Sequence, residues 1–145
     1  MPSLVSERIE SVKAGVVGAG SFVLAELGVV LFKTLVFPSV QEQYSQTTVA
    51  LNLEWLLPIA IGAVSGFLFG VTYRYIIRDD HNSHLNDGAV LAFGLVRGLA
   101  LIEGKPVLSE LLLLGILIVQ SIIYFATARA ILDQAISRKL IKPFY

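Results

Sequence analysis

One arginine lies inside an otherwise apolar stretch, LAFGLVRGLAL, between Leu91 and Leu101. A charge at the centre of a bilayer costs about 2.5–3.5 kcal/mol on insertion scales, so Arg97 needs an opposite charge or a wet cavity. Glu26 is the only acid in the apolar run 14–37. The two side chains could form a buried ion pair that fixes the helix register. Alternatively, Glu26 could carry a proton or an ion, or the two side chains could extend to opposite interfaces.

Two uncharged polar residues occur at a matching depth. Counted along their apolar runs, Ser65 and Gln120 fall near the middle, as Glu26 and Arg97 do. Helices of a membrane bundle place residues of equal depth in one layer. We therefore expect an ion pair between Glu26 and Arg97, with Gln120 and Ser65 as its neighbours in a mid-membrane layer.

A short polar stretch, DDHNSH, contains both histidines of the chain. His81 and His84, together with Asp80, offer imidazole and carboxylate groups that suit zinc or another divalent ion. A solvated turn has the same composition, and we predict no metal here. Neither histidine lies inside an apolar run, which excludes haem or chlorophyll ligation by a buried imidazole. We expect no cofactor.

The elements that position these residues are membrane helices. The chain has 145 residues, of which 55% are hydrophobic and 15% charged, whereas soluble domains carry about 25% charged residues. Spanning helices need roughly 17–25 mostly apolar residues. The sequence predicts one all-α membrane domain, residues 1–145, with Asn86 or Asp87 as the N-cap of the third helix. The predicted spans are about 14–37, 56–77, 88–102 and 107–132.

The basic residues predict the orientation of the helices, since cytoplasmic loops are enriched in Lys and Arg. The stretch PSVQEQYSQTTVALN after the first span has neither. With four spans, nearly all basic residues fall on one side of the membrane. We therefore expect a four-helix bundle with both termini cytoplasmic or stromal. The residues on the basic side are Arg8, Lys13, Arg74, Arg78, Arg129, Arg138, Lys139 and Lys142.

Glycines recur at intervals of four in two of the predicted spans. Small residues at this spacing let helix backbones approach closely. The pattern predicts tight packing, either within the chain or against a partner. The glycines are Gly62, Gly66 and Gly70 in the second span, and Gly94 and Gly98 in the third.

Apolar residues also form stripes in the two terminal segments. Val5, Ile9 and Val12 share a helical face near the start, and Leu132, Ala135, Ile136 and Leu140 share one near the end. Basic residues flank both stripes. This pattern is typical of amphipathic helices that lie in the membrane interface, and we expect one short helix of this kind at each end. A helix that continues into solvent is the alternative.

One segment resembles a known group of proteins. Residues 73–103, YRYIIRDDHNSHLNDGAVLAFGLVRGLALIE, resemble a small family of uncharacterised integral-membrane proteins of cyanobacteria and chloroplasts. The resemblance rests on the basic helix end, the RDD loop and the AFGLVRGLA helix. It implies a location in the thylakoid or the bacterial plasma membrane, and no defined activity.

These features favour a non-catalytic membrane protein, an accessory subunit or assembly factor of a larger complex, photosynthetic complexes included. Its partners would be the lipid bilayer and another membrane protein or further copies of itself. The alternative is a small dimeric transporter coupled to ions or protons, because four helices with Glu26 in the first resemble the small multidrug transporters. We expect no enzymatic activity, since no catalytic constellation is recognisable. The net charge of zero gives no support for nucleic-acid binding.

Overall fold

The computed structural model describes residues 3–38, 53–77, 82–101 and 111–144, and all the secondary structure in these ranges is helical. Within these ranges four helices form an up-down-up-down bundle, which confirms the predicted fold class. α1 packs closely on α2, α3 packs closely on α4, and α1 also contacts α4. The helices are α1 (Leu4–Val36), α2 (Leu53–Ile76), α3 (Ser83–Ala100) and α4 (Leu111–Ser137).

Three of the helices, α1, α2 and α4, are long and apolar enough to cross a membrane, and the chain is a membrane protein. α3 is the more polar helix because it opens with SHLND and carries Arg97. Its 18 residues still extend about 27 Å along the bundle, close to the hydrocarbon thickness of about 30 Å. We call the end of the bundle that holds Ser3 and Ser137 the terminal end.

Helix α3 begins earlier than its sequence pattern predicted. Asn82, and not Asn86 or Asp87, is its N-cap, and its side-chain oxygen accepts a hydrogen bond from the His84 backbone N–H at 3.2 Å. The capped turn precedes the apolar run by several residues. Asp87 is thereby free to act through its carboxylate.

The predicted interfacial helices at the two ends are not separate elements. The N-terminal segment is the first part of α1, which runs unbroken for 33 residues from the N-cap Ser3. Leu132 and Ala135 are buried core residues of α4, so the stripe at the other end belongs to the bundle interface. Beyond Ser137 the chain turns back instead of continuing as a helix.

The return of the C-terminal tail depends on a helix-ending turn. Lys139 has a positive φ of 59°, and its N–H bonds to the Ile136 carbonyl oxygen at 2.9 Å. The Leu140 N–H bonds to the Ala135 carbonyl oxygen, also at 2.9 Å. This pair of bonds is the Schellman motif, in which the left-handed residue satisfies the last helical carbonyls and reverses the chain. Ile141, next in sequence, is buried.

The glycine stripes pack the bundle internally. A Cβ atom on Gly66 would lie 2.6 Å from the Gly18 carbonyl oxygen, so α1 and α2 touch backbone to backbone. On α3, a Cβ atom at Gly98 would lie 2.6 Å from Cα of Ile118 on α4. Gly70 and Gly94 make similar approaches to backbone atoms, and Gly62 lies against the side chains of Glu26 and Phe22. The spacing of these five glycines allowed packing either within the chain or against a partner. In the structure they pack against the chain's own helices.

Candidate functional site

Glu26 and Arg97 lie side by side inside the bundle. Arg97 Nη2 is 3.9 Å from Glu26 Oε1, and the two side chains are 12% and 17% exposed. Glu26 belongs to α1 and Arg97 to α3, and within the described residues no Cα atom of α1 comes within 8 Å of one of α3. The pair therefore joins two diagonally opposed helices through side chains alone.

The depth of this pair matches the middle of a membrane. Arg97 lies ten residues after Asp87 on α3, and Glu26 lies ten residues before Val36 on α1. At 1.5 Å per residue, each of these segments extends about 15 Å, half of a hydrocarbon core about 30 Å thick. Asp87 is exposed at the terminal end and Val36 is the last residue of α1.

Aromatic rings and a glycine surround the pair. Arg97 Cζ lies 4.8 Å from the centroid of the Phe22 ring and 5.9 Å from that of Tyr124, distances at which a guanidinium is attracted to a ring face. A Cβ atom on Gly62 would lie 2.7 Å from Glu26 Oε2. Gly62 thus leaves room for the carboxylate beside α2.

The pair is incompletely hydrogen-bonded. Its separation of 3.9 Å is too long for a direct hydrogen bond. Glu26 Oε2 and Arg97 Nε are buried and have no hydrogen-bond partner in the described part of the chain, and the same holds for Ser121 Oγ. The two opposite charges compensate each other, but each residue still has one buried polar atom that could form a hydrogen bond.

Gln120 is connected to the pair through an aromatic ring, and Ser65 is not connected to it. The Gln120 amide nitrogen donates to the Tyr124 hydroxyl, and Tyr124 faces Arg97. Gln120 Oε1 also accepts a hydrogen bond from Lys33 Nζ at 3.1 Å. Ser65 donates instead to the carbonyl oxygen of Ile61 in its own helix at 2.8 Å, because a serine inside a helix can bond back one turn.

An aromatic cluster closes the bundle between this pair and the terminal end. Phe69 is central to the cluster, with ring centroids 5.1 Å from Phe125 and 5.3 Å from Phe93. Phe22 lies 5.1 Å from both Phe125 and Tyr124. All four helices contribute rings. We call this set the aromatic core: Phe22, Phe69, Tyr73, Phe93, Tyr124 and Phe125.

A second buried charge lies at the terminal end. The Arg74 side chain has no exposed surface and pairs with the Glu7 carboxylate. Arg74 Nη1 donates to Ser11 Oγ at 2.7 Å, and Nε donates to the Lys142 carbonyl oxygen at 2.8 Å. In the sequence, Arg74 is only part of a basic helix end. The N-terminal segment carries two acids, Glu7 and Glu10. Their presence is the sequence signal that the basic end of α2 could form an ion pair with α1.

A separate network connects α2, α3 and α4 at the same end. Arg129 on α4 pairs with Asp87 on α3, and its Nε lies 3.6 Å from Asp133 Oδ2. The Tyr73 hydroxyl donates to Asp133 Oδ1 at 2.7 Å. Polar groups therefore seal the bundle on the terminal side of the aromatic core.

The histidine stretch is described only in part. His84 is exposed on the first turn of α3, whereas His81 and Asp80 lie outside the described residues. Within residues 3–38, 53–77, 82–101 and 111–144, no group of three side chains is arranged to hold a metal ion.

Comparison with known proteins found no relative of this chain. No protein-family model, no curated protein and no solved structure matches the chain.

Proposed function

We propose that this chain is a non-catalytic multi-pass membrane protein that serves as an accessory subunit or assembly factor of a larger membrane complex. The observation that carries the proposal is the filled interior of the bundle. The aromatic core occupies the centre between the Glu26–Arg97 pair and the terminal end. Glycine-mediated packing closes the α1–α2 and α3–α4 interfaces. Contacts that serve a function are then made by the outer surface.

In this proposal the Glu26–Arg97 pair has a structural role. It joins α1 to α3, which the backbone packing leaves apart. A charged pair in an apolar bundle penalises any register that separates the charges, since each would then face hydrocarbon alone. The pair thus fixes the rotation and depth of two helices whose backbones do not touch.

The outward face of α1 offers a surface for a partner helix. Gly20 and Gly28 lie on this face, and a Cβ atom at either would meet nothing within 4 Å. Leu24 and Leu31 lie between them in the helical projection and are exposed by 67% and 60%. Unlike the internal glycines, these two make no close approach to the described helices, and they leave room for the close approach of a second helix.

The proposed setting follows from the resemblance of residues 73–103. That resemblance supports the thylakoid or the bacterial plasma membrane, and a photosynthetic complex is one candidate assembly. The distribution of basic residues supports an orientation with the terminal end on the cytoplasmic or stromal side.

Native purification tests the proposal. The full chain is extracted from its own membrane in mild detergent, and proteins that copurify in constant ratio are identified by mass spectrometry. We expect at least one other membrane protein, which Gly20→Leu/Gly28→Leu should release. Gly115→Leu, at an equally open position on α4, is the matched control and should retain it. A lone monomer or homodimer on native gels would contradict the proposal.

The second candidate is a dimeric transporter that uses Glu26. The observation in its favour is that Glu26 Oε2 and Arg97 Nε are buried without a hydrogen-bond partner among the described residues, because an intramembrane carboxylate with spare capacity can bind a proton or a cation. Proton-coupled transport by the purified chain in liposomes, abolished by Glu26→Gln, would support this candidate over the accessory role.

A further inference from the structure

A groove opens at the terminal end between the start of α1 and the returning C-terminal tail. Its volume is about 550 Å³, within the range of about 300–1,000 Å³ that is common for small-molecule sites. Its walls are apolar. Ile9, Val12 and Val16 line it on α1, and Leu140 and Ile141 line it on the tail.

The groove is preformed because the tail is fixed at several points. The Lys142 backbone N–H donates to Glu10 Oε2 at 2.9 Å. The carbonyl oxygen of the same residue accepts from buried Arg74 at 2.8 Å. The Schellman turn at Lys139 sets the direction from which the tail returns. The two walls are thus held apart by hydrogen bonds and do not collapse onto each other.

The depth of the groove places it across the boundary between hydrocarbon and headgroups. Val16 lies ten residues from Glu26, about 15 Å from the mid-membrane layer, at the edge of the hydrocarbon. Lys13 and Arg8 lie about 20 Å and about 27 Å from that layer, in and just beyond the headgroup region. Val16 therefore faces acyl chains, whereas Val12 and the basic residues lie at the depth of the headgroups or just beyond it.

The charge around the groove is positive. Arg8 and Lys13 lie on its rim, and Lys13 Nζ contacts Glu10 Oε1 at 2.8 Å. No hydrogen bond or ion pair joins the Arg8 guanidinium to another described side chain. Arg138 and Lys139 flank the tail wall, are exposed, and likewise make no side-chain ion pair in the described ranges. An anionic group at the mouth would meet several cations and a single acid that is already paired.

We propose that this groove binds one anionic phospholipid from the leaflet at the terminal end. The start of an acyl chain lies against Val16, the glycerol and ester groups lie against Val12 and Leu140, and the phosphate lies within reach of the Arg8 side chain. The inference needs only that the chain is a membrane protein. It is therefore independent of the accessory and transporter functions discussed above.

Lipid titration of the full chain in mild detergent tests this site. Phosphatidylglycerol is the probe, with phosphatidylcholine and inorganic phosphate as comparisons. We expect native mass spectrometry to show one retained phosphatidylglycerol and melting temperature to rise with its concentration. The other two probes should do neither. Stabilisation by both phospholipids alike would overturn the proposal, as would an equal effect of inorganic phosphate.

Substitutions at three exposed positions distinguish binding in the groove from attraction to general surface charge. Arg8→Gln should weaken phosphatidylglycerol binding about fivefold, equivalent to about 1 kcal/mol for one basic residue near an anionic surface. Lys33→Gln, at the opposite end of the bundle, should leave the affinity unchanged. Val12→Trp keeps every charge and fills the groove, so it should abolish the retained lipid. Undiminished binding by Val12→Trp would show that a diffuse basic surface, and not the groove, attracts the lipid.

Discussion

Glu26 and Arg97 meet across the diagonal of the bundle, with 3.9 Å between Oε1 and Nη2, although the backbones of their helices stay more than 8 Å apart in the described residues. In each of the other helix pairs, Cα atoms of the two described helices come within 8 Å of each other. The α1–α3 contact is instead made by side chains alone, since Arg97 meets both Glu26 and the Phe22 ring of α1. Substitutions at Glu26 and Arg97 should therefore have effects that are not additive.

Replacing Glu26 should destabilise the protein more than replacing Arg97. Arg97→Leu leaves a carboxylate that can bind a proton and become neutral, whereas Glu26→Leu leaves a guanidinium that cannot readily lose its charge. We expect Glu26→Leu to destabilise the protein by about 3 kcal/mol and Arg97→Leu by about 1–2 kcal/mol. Melting temperature in detergent and accumulation in membranes measure both effects.

The double variant Glu26→Leu/Arg97→Leu is the control for this coupling. An apolar pair can replace a buried ion pair at little cost, so the double variant should be more stable than Glu26→Leu alone. If the two losses simply add, the side chains are not partners.

The glycines of α2 should be sensitive to the smallest possible enlargement. Gly66→Ala places a methyl group 2.6 Å from the Gly18 carbonyl oxygen, so α1 and α2 must move apart. We expect a loss of about 1–3 kcal/mol, typical of overpacked interiors, measured as a lower melting temperature. Gly28→Ala, where the added atom meets nothing within 4 Å, is the matched control and should be neutral or slightly stabilising. Equal effects at both positions would refute tight α1–α2 packing.

Arg74 should be required for the attachment of the tail. Arg74→Leu removes the donors to Lys142 and Ser11 and leaves the Glu7 carboxylate unpaired. We expect a loss of about 2–4 kcal/mol, at the lower side of the range for buried pairs because Glu7 keeps some contact with solvent. Carboxypeptidase should then remove the tail faster than in the unaltered protein. Arg138→Leu, a basic residue with an exposed side chain, is the comparison and should change neither measurement.

The turn after α4 should prefer glycine. Lys139 has φ of 59°, a left-handed conformation that costs an L-residue about 1–2 kcal/mol. Lys139→Gly should stabilise the protein by about 0.5–1 kcal/mol, since the greater freedom of glycine in the unfolded chain offsets part of the gain. Lys139→Val should destabilise it. Thermal melts in detergent without anionic lipid give the order, and a more stable valine variant would be inconsistent with the turn.

The bundle and its central pair can be predicted from the sequence, because both follow from counting residues along the apolar runs. Long apolar runs predict α1, α2 and α4, and residue depth alone brings Glu26 to the level of Arg97. The same counting fails for Ser65, because depth does not say which way a side chain points. Direction around the helix axis is set by packing, and the Ser65 hydroxyl bonds to Ile61 of its own helix instead of to the pair.

The terminal end could not be predicted from local patterns. Lys139 gives no sign of a left-handed turn, since glycine is the usual residue there. The apolar stripe around Leu132 continues through Leu140, which suggests a longer helix than the one that forms. The partners of Arg74 come from α1 and from the tail, and only the assembled bundle brings them together.

The bond between the Lys142 N–H and Glu10 joins positions 132 residues apart, and this has a consequence for biosynthesis. When α1 and α2 enter the membrane, Glu10 and buried Arg74 both still lack a partner that the ribosome has not yet made. The contacts of the C-terminal tail at the terminal end can form only after α4 has been inserted. Until then, the hairpin of α1 and α2 lacks the hydrogen bonds of Glu10 and Arg74 with Lys142. A bulky fusion placed directly after Lys142 would obstruct that last step, whereas one placed before Ser3 would leave it free.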